Sequence, residues 1–316
     1  MKKVILTTTA SFSKTIEETD LKDFLAKKNI EVILQQKLEP PFRFDPKNVF
    51  GLVVGHNLSG VLVRAGAEEK KTFPNLKIVS PFGIGTDHID FDGLKGVGVN
   101  PITLPHFSKR AVAELAIGFL FTLARKIVQQ TTAIKGGTWE RVNGQNIFGK
   151  TLRIIGLGNI GKETALIARA VGLEVLANDI TYDEEFIAKN GIKKCDLKAL
   201  IAKSDFITLH IPLTDLTRNL LDKKTFSKMK PGVLLINAAR GEVVDGTALL
   251  EGLESGKVAG AGLDVFSVEP PFNDPILKRI IAHPNVIATP HVGAFTPEIR
   301  YSISKKICEE LIPFAL

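Results

Sequence analysis

A glycine-rich turn between a strand pattern and a helix pattern is the feature that most restricts how this chain can fold. The turn reads Gly156-Leu157-Gly158-Asn159-Ile160-Gly161, after an apolar segment at 152–155 and before a helical pattern at about 160–171. The first glycine permits the tight turn, the second lets a pyrophosphate approach the backbone, and the third lets helix and strand pack closely. The pattern therefore predicts a dinucleotide site in which the helix N-terminus binds the pyrophosphate.

Strand and helix patterns alternate on both sides of this turn. The first hundred residues contain a helix pattern at 16–28 and short apolar strand patterns at 4–6, 32–34, 51–54, 77–79 and 98–99. A long apolar helix is predicted at 108–130, and six strands are predicted after it, at 152–155, 173–177, 206–209, 233–236, 259–263 and 286–288. Helices are predicted between these strands, including one at 197–203. Alternation of this kind predicts an α/β protein with parallel, doubly wound sheets.

Composition and charge exclude several classes of protein. The 316 residues are 44% hydrophobic and 24% charged, close to the average of globular chains. The longest uncharged apolar run, 115–124, is too short to span a bilayer, and the first residues are too polar for a signal peptide, so a cytoplasmic protein is expected. The net charge of +7 is spread over single residues and pairs, which argues against nucleic acid as a partner. Cys195 and Cys308 form no metal-binding or redox motif, and no metal site is predicted.

An acidic residue follows the glycine-rich turn at the distance expected of a dinucleotide site. Asp179 lies 18 residues beyond Gly161, after the second strand pattern of this series. A carboxylate there accepts hydrogen bonds from the ribose hydroxyls of the adenosine and repels a 2′-phosphate. Ile180 and Thr181 come next, so no arginine follows to bind such a phosphate. The sequence therefore favours NAD over NADP as the cofactor.

Three later strand patterns are each followed by one ionisable side chain. Arg240 comes after the strand ending at Ile236, Glu269 after the strand ending at Leu263, and His291 after the strand ending at Ala288. Ligands of open α/β sheets bind beyond the carboxyl ends of the strands, so these side chains are expected to converge near the nicotinamide. A guanidinium binds a carboxylate and an adjacent carbonyl, and a histidine held by a glutamate exchanges a proton near neutral pH. The trio suits the interconversion of a 2-hydroxy acid and a 2-oxo acid.

These motifs resemble the D-isomer-specific 2-hydroxyacid dehydrogenase family, and within it the short phosphoglycerate-dehydrogenase type without a regulatory domain. The resemblance includes Val112-Ala113-Glu114, Gly137-Thr138-Trp139 and Leu209-His210-Ile211-Pro212, and it extends over nearly the whole chain. It implies two Rossmann-like domains: a discontinuous substrate domain at 1–101 plus 289–316, and an NAD-binding domain at 102–288. It also implies a homodimer formed through the NAD-binding domain.

The resemblance further implies a role for individual residues. Arg240, Glu269 and His291 would be catalytic, and the backbone of Gly83-Ile84-Gly85, with Arg240 and His291, would bind the substrate. Residues outside the glycine-rich turn would also line the NAD site, namely Asp179, His210, Pro212, Thr217, Ala238, Ala239, Arg240, Asp264, His291 and Gly293.

The substrate stays open at this point. Phosphoglycerate dehydrogenases often carry Arg-Ser where this chain has Gly55-His56, so the arginine expected to bind the phosphate is missing there. The resemblance places 3-phosphoglycerate first, which would assign the chain to serine biosynthesis. The alternatives are glyoxylate or hydroxypyruvate, and longer acids such as lactate. An alternative is a protein that binds NADH as a sensor with little turnover, although the intact Arg-Glu-His set argues against it.

Overall fold

The computed structural model describes residues 2–104, 107–202 and 204–315, without the side chains of residues 198–200. Pro105, near the predicted domain boundary at 101/102, and Lys203, the last residue of the helix predicted at 197–203, lie outside the described residues. The chain divides into two compact units. Unit 1 consists of Met1–Ser108 and Ala294–Leu316, and unit 2 consists of Lys109–Gly293.

Strands and helices alternate along the described chain. The strands are β1 (Lys3–Thr7), β2 (Ile30–Leu34), β3 (Val49–Val54), β4 (Ile78–Pro81), β5 (Asn100–Pro101), β6 (Thr151–Ile155), β7 (Glu174–Asn178), β8 (Lys193–Lys194), β9 (Phe206–Leu209), β10 (Val233–Asn237), β11 (Val258–Leu263) and β12 (Val286–Ala288). The helices are α1 (Ala10–Glu18), α2 (Leu21–Ala26), α3 (Glu69–Thr72), α4 (Phe91–Gly96), α5 (Lys109–Ala124), α6 (Ile127–Lys135), α7 (Asn159–Ala170), α8 (Glu184–Asn190), α9 (Leu197–Ala202), α10 (Lys223–Lys228), α11 (Gly246–Glu254), α12 (Pro275–Ala282) and α13 (Pro297–Ala315).

Unit 1 is built around a five-stranded parallel sheet in the order β2-β1-β3-β4-β5. β3 is buried along its whole length, as expected of a strand with helices on both faces of its sheet. One apolar cluster joins Phe12 of α1 to Ile307 and Leu311 of α13, so the last helix of the chain completes the core formed by the first strands. Unit 1 therefore contains both ends of the chain.

Unit 2 contains a seven-stranded parallel sheet in the order β12-β11-β10-β9-β6-β7-β8. The strand order proceeds from β6 through β7 to β8 toward one edge of the sheet, and from β9 through β12 toward the other edge. The strand order therefore reverses between β6 and β9, which is the place where doubly wound sheets bind ligands. Separate apolar clusters cover the two faces of the sheet, and they bury nearly continuous apolar strands. The predicted α/β class with two parallel sheets is confirmed.

The single long helix predicted at 108–130 is wrong, because α5 and α6 are separate helices. Lys126, between them, has φ 53°, in the left-handed region. The carbonyl of Ala124 accepts a hydrogen bond from the backbone N–H of Gln145 (2.8 Å), so a later segment caps the end of α5. Neither proline nor glycine marks this break in the sequence.

Within the described ranges, no helix combines the length and the apolar character needed to cross a bilayer.

Two further elements differ from the prediction. The helix predicted at 16–28 is divided into α1 and α2, because Thr19 adopts an extended backbone with φ −129° and ψ 174°. The sheet of unit 2 has a seventh strand, β8, where six were predicted. This edge strand consists of two exposed lysines and lacks the apolar pattern by which strands are recognised.

Candidate active site

The sheet of unit 2 brings most of the predicted site residues to one edge. Because its strands are all parallel, the residues directly after them lie on the same side. Gly156 follows β6, Asp179 follows β7, His210 follows β9, Ala238 follows β10, Asp264 follows β11 and Thr289 follows β12. The residues predicted for the NAD site and for the catalytic trio therefore lie after the ends of strands on one side of this sheet.

The glycine-rich turn has three different environments at its three glycines. Gly156 has φ +94°, and a Cβ there would lie 2.4 Å from the carbonyl oxygen of His210. A Cβ on Gly161 would lie 2.0 Å from the carbonyl oxygen of Gly156. Gly158 precedes α7, and a Cβ there would have no atom within 4 Å. The outer glycines thus permit close packing, whereas the middle one leaves open space before the helix N-terminus, as a bound pyrophosphate requires.

The carboxylate of Asp179 is held beside this turn. Its Oδ2 accepts a hydrogen bond from Leu157 N–H (2.5 Å), and its Oδ1 accepts one from Ile180 N–H (2.6 Å). The side chain stays half-buried, and no basic residue occupies the two positions after it. A carboxylate at this position fits the ribose of NAD better than a 2′-phosphate, so the residues present are suited to this cofactor.

Arg240 lies in the turn that leaves β10. The guanidinium is half-buried, and its Nη1 donates a hydrogen bond to the carbonyl oxygen of Ala239 (2.7 Å). Ala238 and Ala239, both predicted to line the cofactor site, form the same turn. The arginine is thus attached to a short turn on a central strand, which is a rigid support for a binding residue.

Glu269 and His291 form a hydrogen-bonded pair. The Oε2 atom of Glu269 lies 3.0 Å from Nδ1 of His291, and its Oε1 accepts a hydrogen bond from Phe266 N–H (3.0 Å). Since a carboxylate only accepts, Nδ1 carries the proton of this hydrogen bond. The His291 side chain is 34% exposed and that of Glu269 only 18%, so a ligand reaches the imidazole more easily than the carboxylate. Nε2 is the ring nitrogen that takes no part in this hydrogen bond.

Asp264 holds the turn that carries His291. Its Oδ1 accepts hydrogen bonds from the hydroxyl of Thr289 (2.5 Å) and from Val292 N–H (2.8 Å), and its Oδ2 accepts one from Gly293 N–H (2.8 Å). The backbone carbonyl of Asp264 accepts from His291 N–H (2.8 Å). Burial raises the pKa of this carboxyl although these hydrogen bonds favour the charged form. The residue predicted to line the cofactor site thus also fixes the His291 backbone, whose φ is +54°.

His210 connects two elements, β9 and α7, beside the glycine-rich turn. Its Nε2 lies 3.0 Å from the hydroxyl of Thr208 on β9 and 3.2 Å from that of Thr164 on α7. Thr164 donates its own proton to the carbonyl of Ile160 (3.0 Å), so its oxygen accepts from Nε2–H of a neutral imidazole. Burial lowers the pKa of His210 to about 3. The ring therefore acts here as a neutral brace between β9 and α7.

Acid should destabilise the fold through His210. Its folded-state pKa, about 3, lies below the ordinary value near 6.5, so the unfolded chain takes up the proton first as the pH falls. The stability present at pH 7 is lost progressively from about pH 6.5 downward, and the loss reaches about 2 kcal/mol at pH 5. We expect wild type to lose about 2 kcal/mol more than His210→Gln between pH 7 and pH 5. Denaturant unfolding followed by circular dichroism measures both losses, and equal losses would contradict the prediction.

Two other predicted groups lie in loops after strands. Thr217, after β9, donates its hydroxyl proton to the carbonyl of Pro212 (2.7 Å) and so closes the loop in which both occur. The Gly83-Ile84-Gly85 turn follows β4 in unit 1, where Gly83 has φ +150° and a Cβ there would have no atom within 4 Å. This turn offers open backbone of the kind that binds a carboxylate.

Four supporting residues were not predicted from the sequence. Thr164 holds His210, Thr289 holds Asp264, and Asn237 and Gly241 lie on either side of the Arg240 turn. Asn237 could have been found from the sequence, because a polar amide at the end of an apolar strand pattern predicts a buried side chain that needs hydrogen-bond partners. Thr164 and Thr289 had none, since each contacts a residue distant in sequence.

Comparison with protein families assigns part of the chain directly. Residues 117–293 match the family described as D-isomer specific 2-hydroxyacid dehydrogenase, NAD binding domain. This region falls within unit 2 and contains the glycine-rich turn and the Arg240, Glu269 and His291 positions.

Individual relatives are similar over most of the chain. Hydroxypyruvate reductase of Thermotoga maritima is 42% identical over 239 residues, which cover 75% of this chain and 77% of that protein. D-3-phosphoglycerate dehydrogenase of Bacillus subtilis is 41% identical over 266 residues, covering 82% of this chain and 50% of that protein. The chain thus spans about half the length of this phosphoglycerate dehydrogenase.

A solved structure extends the similarity to the fold. D-lactate dehydrogenase of Aquifex aeolicus, in complex with NAD and lactic acid, has a TM-score of 0.82 at 26% identity. The match covers 98% of this chain and 94% of that one.

Proposed function

The chain belongs to the D-isomer-specific 2-hydroxyacid dehydrogenase family, whose members are NAD-dependent oxidoreductases, and we propose that it transfers a hydride between NAD and a small 2-hydroxy or 2-oxo acid. One observation carries this proposal: Arg240, Glu269 and the glutamate-held His291 follow three adjacent strands of the NAD-binding unit, β10, β11 and β12. In this proposal unit 2 binds NAD, and the role of the Gly83-Ile84-Gly85 backbone toward the substrate carboxylate stays a prediction from the sequence.

The proposed chemistry divides among three side chains. NAD, when bound, supplies or accepts the hydride. In the reductive direction Arg240 orients the carboxylate and polarises the carbonyl oxygen, because its planar donors match that pair of acceptors. His291 donates a proton from Nε2 to the developing alkoxide, and Glu269 stabilises the resulting tautomer and ring orientation. In the oxidative direction the same atoms act in reverse.

Hydroxypyruvate is the substrate we place first, with 3-phosphohydroxypyruvate and pyruvate behind it. The relative named hydroxypyruvate reductase matches this chain over 77% of its own length, whereas the phosphoglycerate dehydrogenase of Bacillus subtilis matches over 50%. Gly55 and His56 also stand where an arginine was expected for a phosphate. The sequence identity of this chain to the two relatives is nearly equal, so the experiment below also includes a phosphorylated substrate.

NADH oxidation followed by absorbance, with a panel of 2-oxo acids, tests the function and the substrate together. The panel contains glyoxylate, hydroxypyruvate, pyruvate, phenylpyruvate, 2-oxoglutarate and 3-phosphohydroxypyruvate. Preference for hydroxypyruvate supports our order, and preference for the phosphorylated acid reverses it. Tight NADH binding without turnover of any of them would instead support an NADH-sensing protein.

Cofactor choice should depend on Asp179. Its carboxylate is fixed by two backbone N–H groups beside the glycine-rich turn, where it repels a 2′-phosphate. We expect Asp179→Ala to weaken NADH binding by about tenfold and to narrow the preference for NADH over NADPH by a similar factor, as removal of a charged hydrogen bond of about 1.5 kcal/mol predicts. Fluorescence titration with both cofactors measures this. An unchanged preference would contradict the assignment, and Asp222→Ala, at the start of α10, provides the control.

We also propose that the protein is a cytoplasmic homodimer that associates through unit 2. Trp139 and Phe148, in the segment after α6, are 79% and 81% exposed, and in this proposal they are buried against the second copy. Sedimentation velocity should give twice the chain mass for wild type, and Trp139→Glu should shift it toward the monomer. Leu216→Glu, which changes a similarly exposed residue elsewhere in unit 2, should leave the dimer intact. A wild-type monomer would contradict the proposal.

A further inference from the structure

We propose that Asn237 is a positioning residue for Arg240, and that Gly241 seats the Arg240 turn against the segment that orients Glu269. The inference rests on the proposed function, since it concerns how the same arginine is held. Asn237 touches neither the reacting atoms nor the cofactor in this proposal. It acts through the backbone of the turn.

The Asn237 side chain closes the turn with both of its amide atoms. Its Oδ1 accepts a hydrogen bond from Ala239 N–H (3.0 Å), and its Nδ2 donates one to the carbonyl of Arg240 (2.9 Å). Asn237 is the last residue of β10, pairs with Leu209 and Leu263 on the adjacent strands, and is 1% exposed. The amide is therefore fixed by the centre of the sheet, and it transfers that fixed position to the arginine.

Asparagine is the side chain that fits both contacts. Aspartate would still accept from Ala239 N–H, but its second oxygen would face the Arg240 carbonyl, and two acceptors repel each other at that distance. Serine is long enough only for the acceptor role toward the residue two positions on. Alanine removes both hydrogen bonds and leaves the Ala239 N–H and the Arg240 carbonyl without these partners, which loosens the turn.

Gly241 connects this turn to the catalytic pair. A Cβ on Gly241 would lie 2.0 Å from the carbonyl carbon of Phe266 and 2.2 Å from Ser267 N, so the two backbones are in direct contact. The N–H of the same Phe266 donates to Oε1 of Glu269, whose Oε2 contacts His291. The turn that carries the arginine therefore packs on the segment that orients the glutamate and the histidine. A shift of Asn237 would move Arg240 relative to His291.

Steady-state kinetics with the best 2-oxo acid of the panel test the proposal. Asn237→Ala and Asn237→Asp should each lower kcat/KM by about 10²-fold, the effect expected of a displacement of about 1 Å at a reacting centre. NADH affinity, measured by fluorescence, should change less than threefold. Asn237→Ser should fall between wild type and Asn237→Ala. Asn190, the last residue of α8, donates a similar side-chain hydrogen bond to the carbonyl of Phe186, and Asn190→Ala should retain wild-type kinetics.

A double-mutant cycle separates positioning from a general loss of stability. If Asn237 acts through Arg240, adding Asn237→Ala to Arg240→Ala should lower kcat/KM no further, because no guanidinium remains to be positioned. Multiplicative losses, or a wild-type-like Asn237→Ala beside an impaired Arg240→Ala, would overturn this inference alone. A wild-type protein without turnover, or an unimpaired Arg240→Ala, would overturn the proposed function as well. Should Asn237→Ala fail to fold, Asn237→Ser enters the same cycle.

Discussion

Replacing His291 with asparagine should lower kcat/KM for 2-oxo acid reduction by about 10²- to 10⁴-fold, the contribution of a positioned general acid. Asparagine suits this position because His291 has φ +54°, and asparagine adopts this left-handed conformation more readily than most other non-glycine residues. The amide cannot donate a proton to an alkoxide as imidazolium does. NADH affinity should stay within about threefold of wild type, since the substitution leaves the glycine-rich turn unchanged.

Two further substitutions distinguish loss of the proton donor from a distorted turn. Glu269→Gln should show a smaller loss of rate, because the imidazole remains but its Nδ1 partner changes. His283→Asn, a half-buried histidine of the same unit whose Nδ1 accepts from Asn285 N–H, is the matched control and should keep wild-type rates. A wild-type rate in His291→Asn would contradict the role assigned.

The parts of the fold that could be predicted are those whose physical cause lies within a few residues. The roles of three glycines could be predicted from the sequence, because the adjacent strand and helix alone require glycine at Gly156, Gly158 and Gly161. Placing Arg240, Glu269 and His291 after adjacent strand ends required only one more rule, that parallel strands end on the same side of a sheet.

The parts that could not be predicted depend on contacts between distant segments. The end of α5 at Ala124 is capped by the backbone of Gln145, a residue beyond the next helix, and the local apolar pattern contains no signal of that contact. The support of Asp264 by Thr289 joins residues 25 positions apart, and nothing in either segment indicates the other. β8 was missed for a different reason, because an edge strand need not be apolar.

Replacing Arg240 with alanine should lower kcat/KM for the preferred 2-oxo acid by about 10²- to 10³-fold, since truncating one partner of a charge-assisted pair costs about 3–4 kcal/mol. The guanidinium provides two parallel donors, so Arg240→Lys should restore only part of the loss: the ammonium keeps the charge but not the planar geometry. Arg279→Ala removes a surface arginine that pairs with Glu254 and should have no effect on turnover.

The neutral amide of the same acid shows whether Arg240 recognises the carboxylate. Wild type should strongly prefer the acid over the amide, because the amide lacks the charge that strengthens the hydrogen bonds to arginine. Arg240→Ala should lose much more activity toward the acid than toward the amide, and the preference should shrink by about tenfold or more. Equal losses for both compounds would mean that Arg240 contributes through the carbonyl oxygen alone. The carboxylate would then depend on other donors, and the Gly83-Ile84-Gly85 turn would become the first to test.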